Sequence, residues 1–420
     1  MKGEAKPALV PKLRFPEFSG AEGWESKFIG PYLEDCSGRV PPDTEFPVYS
    51  STREGLKRQD AYFDGRVLQN KNEYGVVPPG CLVYRHMSDD GLFKFNINET
   101  GGDIAVSKEY PVFSTKDLNS VFLLAKLNDG IDFKHFALSQ KAGGTRTRLY
   151  FSRLCEWRTL LPSLAEQQRI ADCLTSLDEL IAAQGHKLDA LKNHKSGLMQ
   201  QLFPREGETI PSLRFPEFQD AGEWENEQLK MCLSSISNGL TLEQSRGSVG
   251  YKVTRIETIS AGTIDLTKVG LVQTSNDISE YKLKVGDILF SNINSLAHIG
   301  KSVFVDCEND IYHGMNLLRL KVDSIRHAAK FIFYAINTDA TRASLRERSN
   351  KAVNQASINQ TEVGKTVVFL PRILEQQRIA NCLSSLDELI AAQCLKLDAL
   401  KTHKKGLMQQ LFPTTEDSQE

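Results

Sequence analysis

Arginines set among threonines and a tyrosine, or among asparagines and glutamines, are the side chains that grip phosphate and read base edges. From Lys134 to Arg158 the chain carries Lys134, Lys141, Arg146, Arg148, Arg153 and Arg158 against Glu156 alone, with Thr145, Thr147 and Tyr150 interleaved. A later stretch carries Arg342, Arg346, Arg348 and Lys351 against Glu347, followed by Asn354, Gln355, Asn359 and Gln360. Guanidinium forks suit phosphate or guanine, carboxamides suit adenine, and hydroxyls suit either. The residues expected to meet DNA are therefore Lys141, Thr145, Arg146, Arg148, Tyr150, Arg348, Lys351, Asn354, Gln355 and Asn359. The polar run "SNIN" adds Ser291, Asn292 and Asn294. Either basic cluster alone reads equally well as a solvated, salt-bridged face, and "SNIN" alone as an ordinary loop. Two clusters at corresponding places in a duplicated chain favour DNA.

The elements around these clusters are mixed. "KVGDILFSNIN" (Lys284 to Asn294), "GKSVFVD" (Gly300 to Asp306), "MNLLRLKV" (Met315 to Val322) and "GKTVVFLP" (Gly364 to Pro371) have strand-like apolar content, and Ala328 to Ser349 has helical spacing. Earlier in the chain, "VVPPGCLVYR" (Val76 to Arg85) is the counterpart of the first of these strands, and "GGTRTRLYFSRLCEW" (Gly143 to Trp157) precedes a helix. Both regions read as α+β domains.

The duplication is explicit in the segments that flank these regions. Glu166 to Pro204 returns 209 residues later as Glu375 to Pro413, and "LRFPEF" at Leu13 returns 200 residues later at Leu213, each followed by Trp-Glu. Within the longer repeat, Ile170, Leu174, Leu177, Ile181, Gln184, Leu188, Leu191, Lys195, Leu198 and Leu202 alternate steps of four and three, the seam of a coiled coil. The second copy gives Ile379, Leu383, Leu386, Ile390, Gln393, Leu397, Leu400, Lys404, Leu407 and Leu411. Gln184, Lys195, Gln393 and Lys404 place polar groups in the seam, a device that fixes register. The expected architecture is a first α+β domain (1–165), a long helix (166–204), a second such domain (205–374), a second helix (375–413) and a tail (414–420). Two equivalent units joined by a closed contact favour antiparallel helices, with one domain at each end of a rod on the order of 55 Å long. Two separate amphipathic helices, each packing on its own domain, are the plainer alternative.

Several functions are excluded or disfavoured. The chain has 420 residues, 40% hydrophobic and 25% charged, and a formal charge of −2. That near-neutral balance means a polyanion must be met locally or with help. No run approaches the roughly 18 apolar residues of a membrane span, and no apolar leader stands at the start, so a cytoplasmic protein is expected. Eight cysteines (36, 81, 155, 173, 232, 307, 382 and 394) occur without Cys-x-x-Cys, and eight histidines are scattered; neither zinc nor disulfides are expected. "IGKS" and "VGKT" lack the leading glycine of a phosphate loop, since Ser295 and Asn359 stand there. The chain carries no recognisable catalytic motif.

Taken together, "LRFPEF…WE", a domain containing "GDILFS", and "LPSLAEQQRIADCLTSLDELIAAQ…KLDALK…KSGLMQQLFP", in a chain that states its outer motifs twice, resemble the specificity (S) subunit of type I restriction-modification enzymes over essentially the full chain. The resemblance implies two target-recognition domains that read a split double-stranded DNA site, and an antiparallel coiled coil between them. It also implies two adenine-N6 methyltransferase (M) subunits docked on the framework, joined by restriction (R) subunits. Catalysis, with S-adenosylmethionine, ATP and Mg, then lies in those partners, leaving this chain non-enzymatic and without a cofactor. The rival from another class is a coiled-coil scaffold whose end domains bind protein or sugar.

Overall fold

A computed structural model describes residues 9–62, 73–141, 146–244, 249–351 and 355–413. The expectations for Thr145 and Asn354 lie outside the described residues. Two compact units divide the chain: one runs to Gly185 and resumes at Leu395, and the other is the continuous stretch His186–Cys394. The two long helices, Leu164–Leu202 and Ile373–Leu411, are each 39 residues and unbroken. Each unit therefore contains the beginning of one long helix and the end of the other, whereas the sequence boundaries set these helices apart as spacers.

The first unit centres on a four-stranded antiparallel sheet in the order Leu33–Asp35, Val112–Thr115, Leu82–Tyr84, Phe95–Ile97. Helix Ser120–Asp129 supplies Phe122, Leu123 and Leu127 to its core. A three-stranded sheet of Ile104–Ser107, Tyr74–Val77 and Gly38–Val40 lies beside it in sequence. "VVPPGCLVYR" is thus two strands in two sheets rather than one. Pro78 and Pro79 cannot donate to a ladder, and Gly80 turns with φ +78°, a conformation that favours glycine.

The second unit repeats the four-stranded sheet in the same order: Leu233–Asn238, Leu318–Val322, Asp287–Phe290, Ser302–Phe304. Gly286, with φ +95°, occupies the turn that Gly80 occupies in the first unit. The helix expected over Ala328 to Ser349 is two helices, Ala329–Ile336 and Asp339–Glu347. The break falls where the Thr338 hydroxyl accepts from the Thr341 N–H, a side-chain cap that competes with continuing the first helix.

Every residue of the expected seams is buried or half-buried, while their neighbours on the helix surface are largely exposed. In the first unit Ile170, Ala171 and Leu174 share a core with Met408, Leu411 and Phe412, and Lys404 bonds Asp178 at 2.6 Å. In the second, Ile379, Ala380 and Leu383 share a core with Leu202 and Phe203, and Lys195 bonds Asp387 at 2.5 Å. Rising numbers on one helix meet falling numbers on the other, so the paired segments run antiparallel within each unit. Among the described residues no helix is long and apolar enough to cross a membrane.

The repeated short motifs clamp the helix starts. Arg14 bonds both carboxylate oxygens of Glu166, at 2.8 and 2.7 Å, and Arg214 does the same to Glu375 at 2.7 Å. All four side chains are under a tenth exposed. These hydrogen bonds hold both guanidinium groups above their ordinary pKa. Arg169 pairs with Glu17 and lies over Phe15; Arg378 pairs with Glu217 and lies over Phe215. Gln167 accepts from the Asn119 N–H and donates to Pro162 O, as Gln376 accepts from the Ala328 N–H and donates to Pro371 O. The "EQQR" and "LRFPEF" motifs recur because each is the other's partner.

Candidate nucleic-acid interface

Each unit builds a small edge from two short strands, and the candidate residues collect there. In the first unit Met87–Ser88 pairs with Thr147–Arg148, in the register Thr147↔Ser88 and Arg148↔Met87. In the second, Ile293–Asn294 pairs with Ala356–Ser357, in the register Ile293↔Ser357 and Asn294↔Ala356, and Asn350–Lys351 adds a third strand. The backbone bond Leu149 N–H to His86 O matches Ile358 N–H to Asn292 O. Ser88 therefore corresponds to Asn294, Arg148 to Ser357, and Tyr150 to Asn359. Two segments far apart in sequence, "SNIN" and the stretch around Lys351, are brought onto one sheet.

The side chains on the two edges differ. In the first unit Arg148 is exposed and makes no ion pair among the described residues, and neither does Lys141. Tyr150 is 51% exposed, with His86 stacked behind it at 5.6 Å between ring centroids. Such a backed aromatic face can receive a base. Arg146 is committed instead to Asp89 at 2.8 Å, so its charge is already met. A cleft of about 400 Å³ beside this edge is lined by Ser50, Ser51, Arg53, Arg85, Lys94 and Tyr110, among others. There Arg53 bonds Asp90 at 2.6 Å. That bond, with the Ser88 hydroxyl and the Leu92 N–H, holds the Asp90 carboxyl well below the usual carboxylate range. The paired acids are hydrogen-bond acceptors, the group that reads the amino edge of cytosine.

In the second unit the edge is carboxamide-rich. Asn292 and Asn294 are half-buried, and Lys351, Gln355 and Asn359 are exposed. Asn359 commits its side-chain oxygen to the Glu362 N–H, which caps the next helix. Three expectations need revision here. Ser291 is 1% exposed and accepts a bond from Asn294, so it shapes the loop and does not face a base. Arg348 lies 3.5 Å from Glu362, whose carboxyl Lys365 and then Arg348 hold below its ordinary value. Arg342 and Arg346 are half-buried, with buried Nε atoms that have no partner among the described residues, and burial lowers the Arg342 pKa, so this helix presents fewer surface cations than its composition suggests.

Arg53, Arg85 and Lys94 were missed from sequence. The signal was present: aligning Gly80 with Gly286 sets Arg85, His86 and Ser88 opposite Ser291, Asn292 and Asn294. A separate group, Glu227, Cys232 and His327, gathers elsewhere in the second unit, with burial first and Glu227 second pushing the Cys232 thiol up to about 12.

Each of the two α+β units is built on an antiparallel sheet, is clamped to the start of a long helix and presents its own polar edge. A family model described as the type I restriction modification DNA specificity domain matches residues 86–193 and 222–401, and the chain belongs to that family. The putative type I restriction enzyme MjaX specificity subunit of Methanocaldococcus jannaschii is 40% identical over 193 residues, which span 45% of this chain and 45% of that protein. The type I restriction enzyme MjaVIII specificity subunit of the same organism is 26% identical over 427 residues, covering 95% and 93%. The crystal structure of a type I restriction-modification system S subunit from M. genitalium shares the fold, with a TM-score of 0.62 at 13% identity over 97% of this chain and 100% of that one. These relatives are named as specificity subunits, not as catalytic ones.

Proposed function

We propose that this chain reads a bipartite double-stranded DNA target in the cytoplasm, one unit per half-site. In this reading the long helices form one antiparallel coiled coil with a pseudo-two-fold axis, and equivalent surfaces dock two adenine-N6 methyltransferase subunits. Restriction subunits join through that complex. The chain supplies no catalytic group, and S-adenosylmethionine, ATP and Mg belong to the partners.

The observation that carries this reading is the contrast between sameness and difference. The clamps at the helix starts hold both helices in the same way, and Leu180 and Leu389 are exposed at equivalent positions on the helices, as docking of two copies of one partner requires. The strand edges repeat in backbone only and change their hydrogen-bonding chemistry, as two different half-sites require. The chain's formal charge of −2 fits a division of labour in which partners add phosphate contacts.

The test is methylome sequencing of cells with and without this chain together with its methyltransferase. A split motif with a fixed gap, present only when the chain is present, is the expected result; no motif change, or a continuous motif, overturns the reading. An added helical turn of about 5.4 Å in each long helix should widen the gap by about one to two base pairs, at roughly 3.4 Å per base pair. Steep loss of DNA affinity with salt separates this reading from a protein- or sugar-binding scaffold.

A further inference from the structure

We propose that Glu227, Cys232 and His327 form a binding site in the second unit for a transition-metal dication of the zinc class. The three residues come from two stretches of chain: Glu227 from strand Glu225–Gln228, Cys232 from the end of the short helix Leu229–Cys232, and His327 from the turn before helix Ala329–Ile336. Their candidate ligand atoms all lie within 4.8 Å of one another. Cys232 Sγ is 3.8 Å, and His327 Nε2 3.9 Å, from Glu227 Oε2. Ligand atoms around a tetrahedral zinc stand about 3.3 to 3.8 Å apart, given bonds of about 2.0 to 2.3 Å. Small side-chain movements close the gap.

A second observation points to an occupant. His327 is 7% exposed, and neither ring nitrogen has a hydrogen-bond partner among the described residues. A buried imidazole must donate from at least one nitrogen, and leaving it without an acceptor is costly. Glu227 lies beyond hydrogen-bond reach of it in this arrangement. Thiolate, imidazole and carboxylate together are a zinc-type donor set, with a fourth position left for water.

The neighbouring cation does not oppose this. Arg326 is held by Asp323 at 3.0 Å and by the Met231 carbonyl. The first unit supplies an internal contrast. Strand Glu25–Phe28 corresponds to Glu225–Gln228, and the Asn119 and Ala328 bonds to Gln167 and Gln376 fix the other alignment. The positions equivalent to Glu227, Cys232 and His327 are therefore Lys27, Tyr32 and Leu118. None of these is a zinc ligand, and the Lys27 ammonium pairs with Glu25 at 2.8 Å there. The site belongs to one copy and is independent of the DNA-reading proposal.

The test uses the full-length chain, stripped with a chelator and titrated with cobalt(II). We expect one equivalent bound with a thiolate-to-cobalt charge-transfer absorption, displaced by zinc. Cys232→Ser should abolish that absorption, and Cys307→Ser should leave it. His327→Gln should weaken cobalt binding by at least about a hundredfold, since even residues behind the ligands cost ten- to a hundredfold. Should either variant fail to fold by circular dichroism, Glu227→Gln, which keeps size and shape, should still weaken binding at least about tenfold. No charge-transfer absorption in the wild-type chain, an absorption that survives Cys232→Ser, or unchanged affinity in Glu227→Gln would each overturn the site.

Discussion

The two units agree most closely where side chains are buried at the helix starts and least where strand edges meet solvent. Arg14 and Glu166 in one, Arg214 and Glu375 in the other, make the same bidentate pair, at 2.7 to 2.8 Å. On the edges, Arg148 stands where Ser357 stands, and Tyr150 where Asn359 stands. A buried ion pair tolerates no partial change, because losing one partner strands a charge in low dielectric. An exposed edge loses almost nothing when one polar side chain replaces another. The same ancestral unit could thus diverge in what it contacts while remaining fixed in how it is held.

The comparison is broken most severely at the clamps. Arg14→Ala or Arg214→Ala should each destabilise its own unit by about 3–5 kcal/mol, measured by urea unfolding. The second should cost more. Glu166 keeps a bond from Trp24 Nε1 at 3.2 Å, whereas Trp224 Nε1 has no partner among the described residues, so Glu375 would lose its principal donor. Equal losses would show that the tryptophan bond contributes nothing.

Acid should next distinguish the units. Burial holds His313 in the second unit at a pKa of about 4, with its Nε2 on the Leu317 carbonyl. Because the folded value lies below the unfolded value of about 6.5, the unfolded chain takes up the proton first. Stability is full above pH of about 6.5 and falls progressively down to about pH 4, by on the order of 3 kcal/mol. Replacing His313 with Gln should flatten that part of the pH profile of the second unit. An unchanged slope would assign the loss to other groups.

The edges should show smaller and separable effects. Arg148→Ala should cost about 1–3 kcal/mol of discrimination at one half-site and nothing at the other, and Asn294→Ala the converse. Binding measured on DNA with each half-site scrambled in turn checks this, and equal losses at both would remove the assignment of edges to half-sites. Smallest of all, Gly185→Ala should stabilise the first long helix by about 0.5–1 kcal/mol, since a methyl there meets nothing within 4 Å. Cys394 already occupies the equivalent place in the second copy, and thermal unfolding of the variant provides the check.

The long helices were legible in the sequence because a period of three and four survives in single letters. Both seams, from Ile170 and from Ile379, lie on the inward face of their helices. The recognition edges were half legible. Basic and amide clusters marked the right stretches, but composition does not reveal that Arg146 faces Asp89 or that Arg348 faces Glu362, acids far enough away in sequence to be invisible. Ser291 looked available because a polar residue after a strand usually is; its burial follows from the turn that pairs it with Lys301 and Gly300. The cluster at Cys232 and His327 was unreadable for a related reason. Its spacing resembles no local motif, and only the packing of a helix entry against a strand brings the residues together.

One contact separates the copies in time. Leu213 donates its N–H to Gln201 O, within a continuous stretch of chain, while Leu13 donates to Gln410 O, 397 residues further along. The second unit needs only His186–Cys394, but the first cannot be completed until the segment from Leu395 has been made. During synthesis from the N-terminus, closing the longer loop comes last. The copy translated second is the first to have all of its chain, because the core of the earlier one also needs Met408, Leu411 and Phe412.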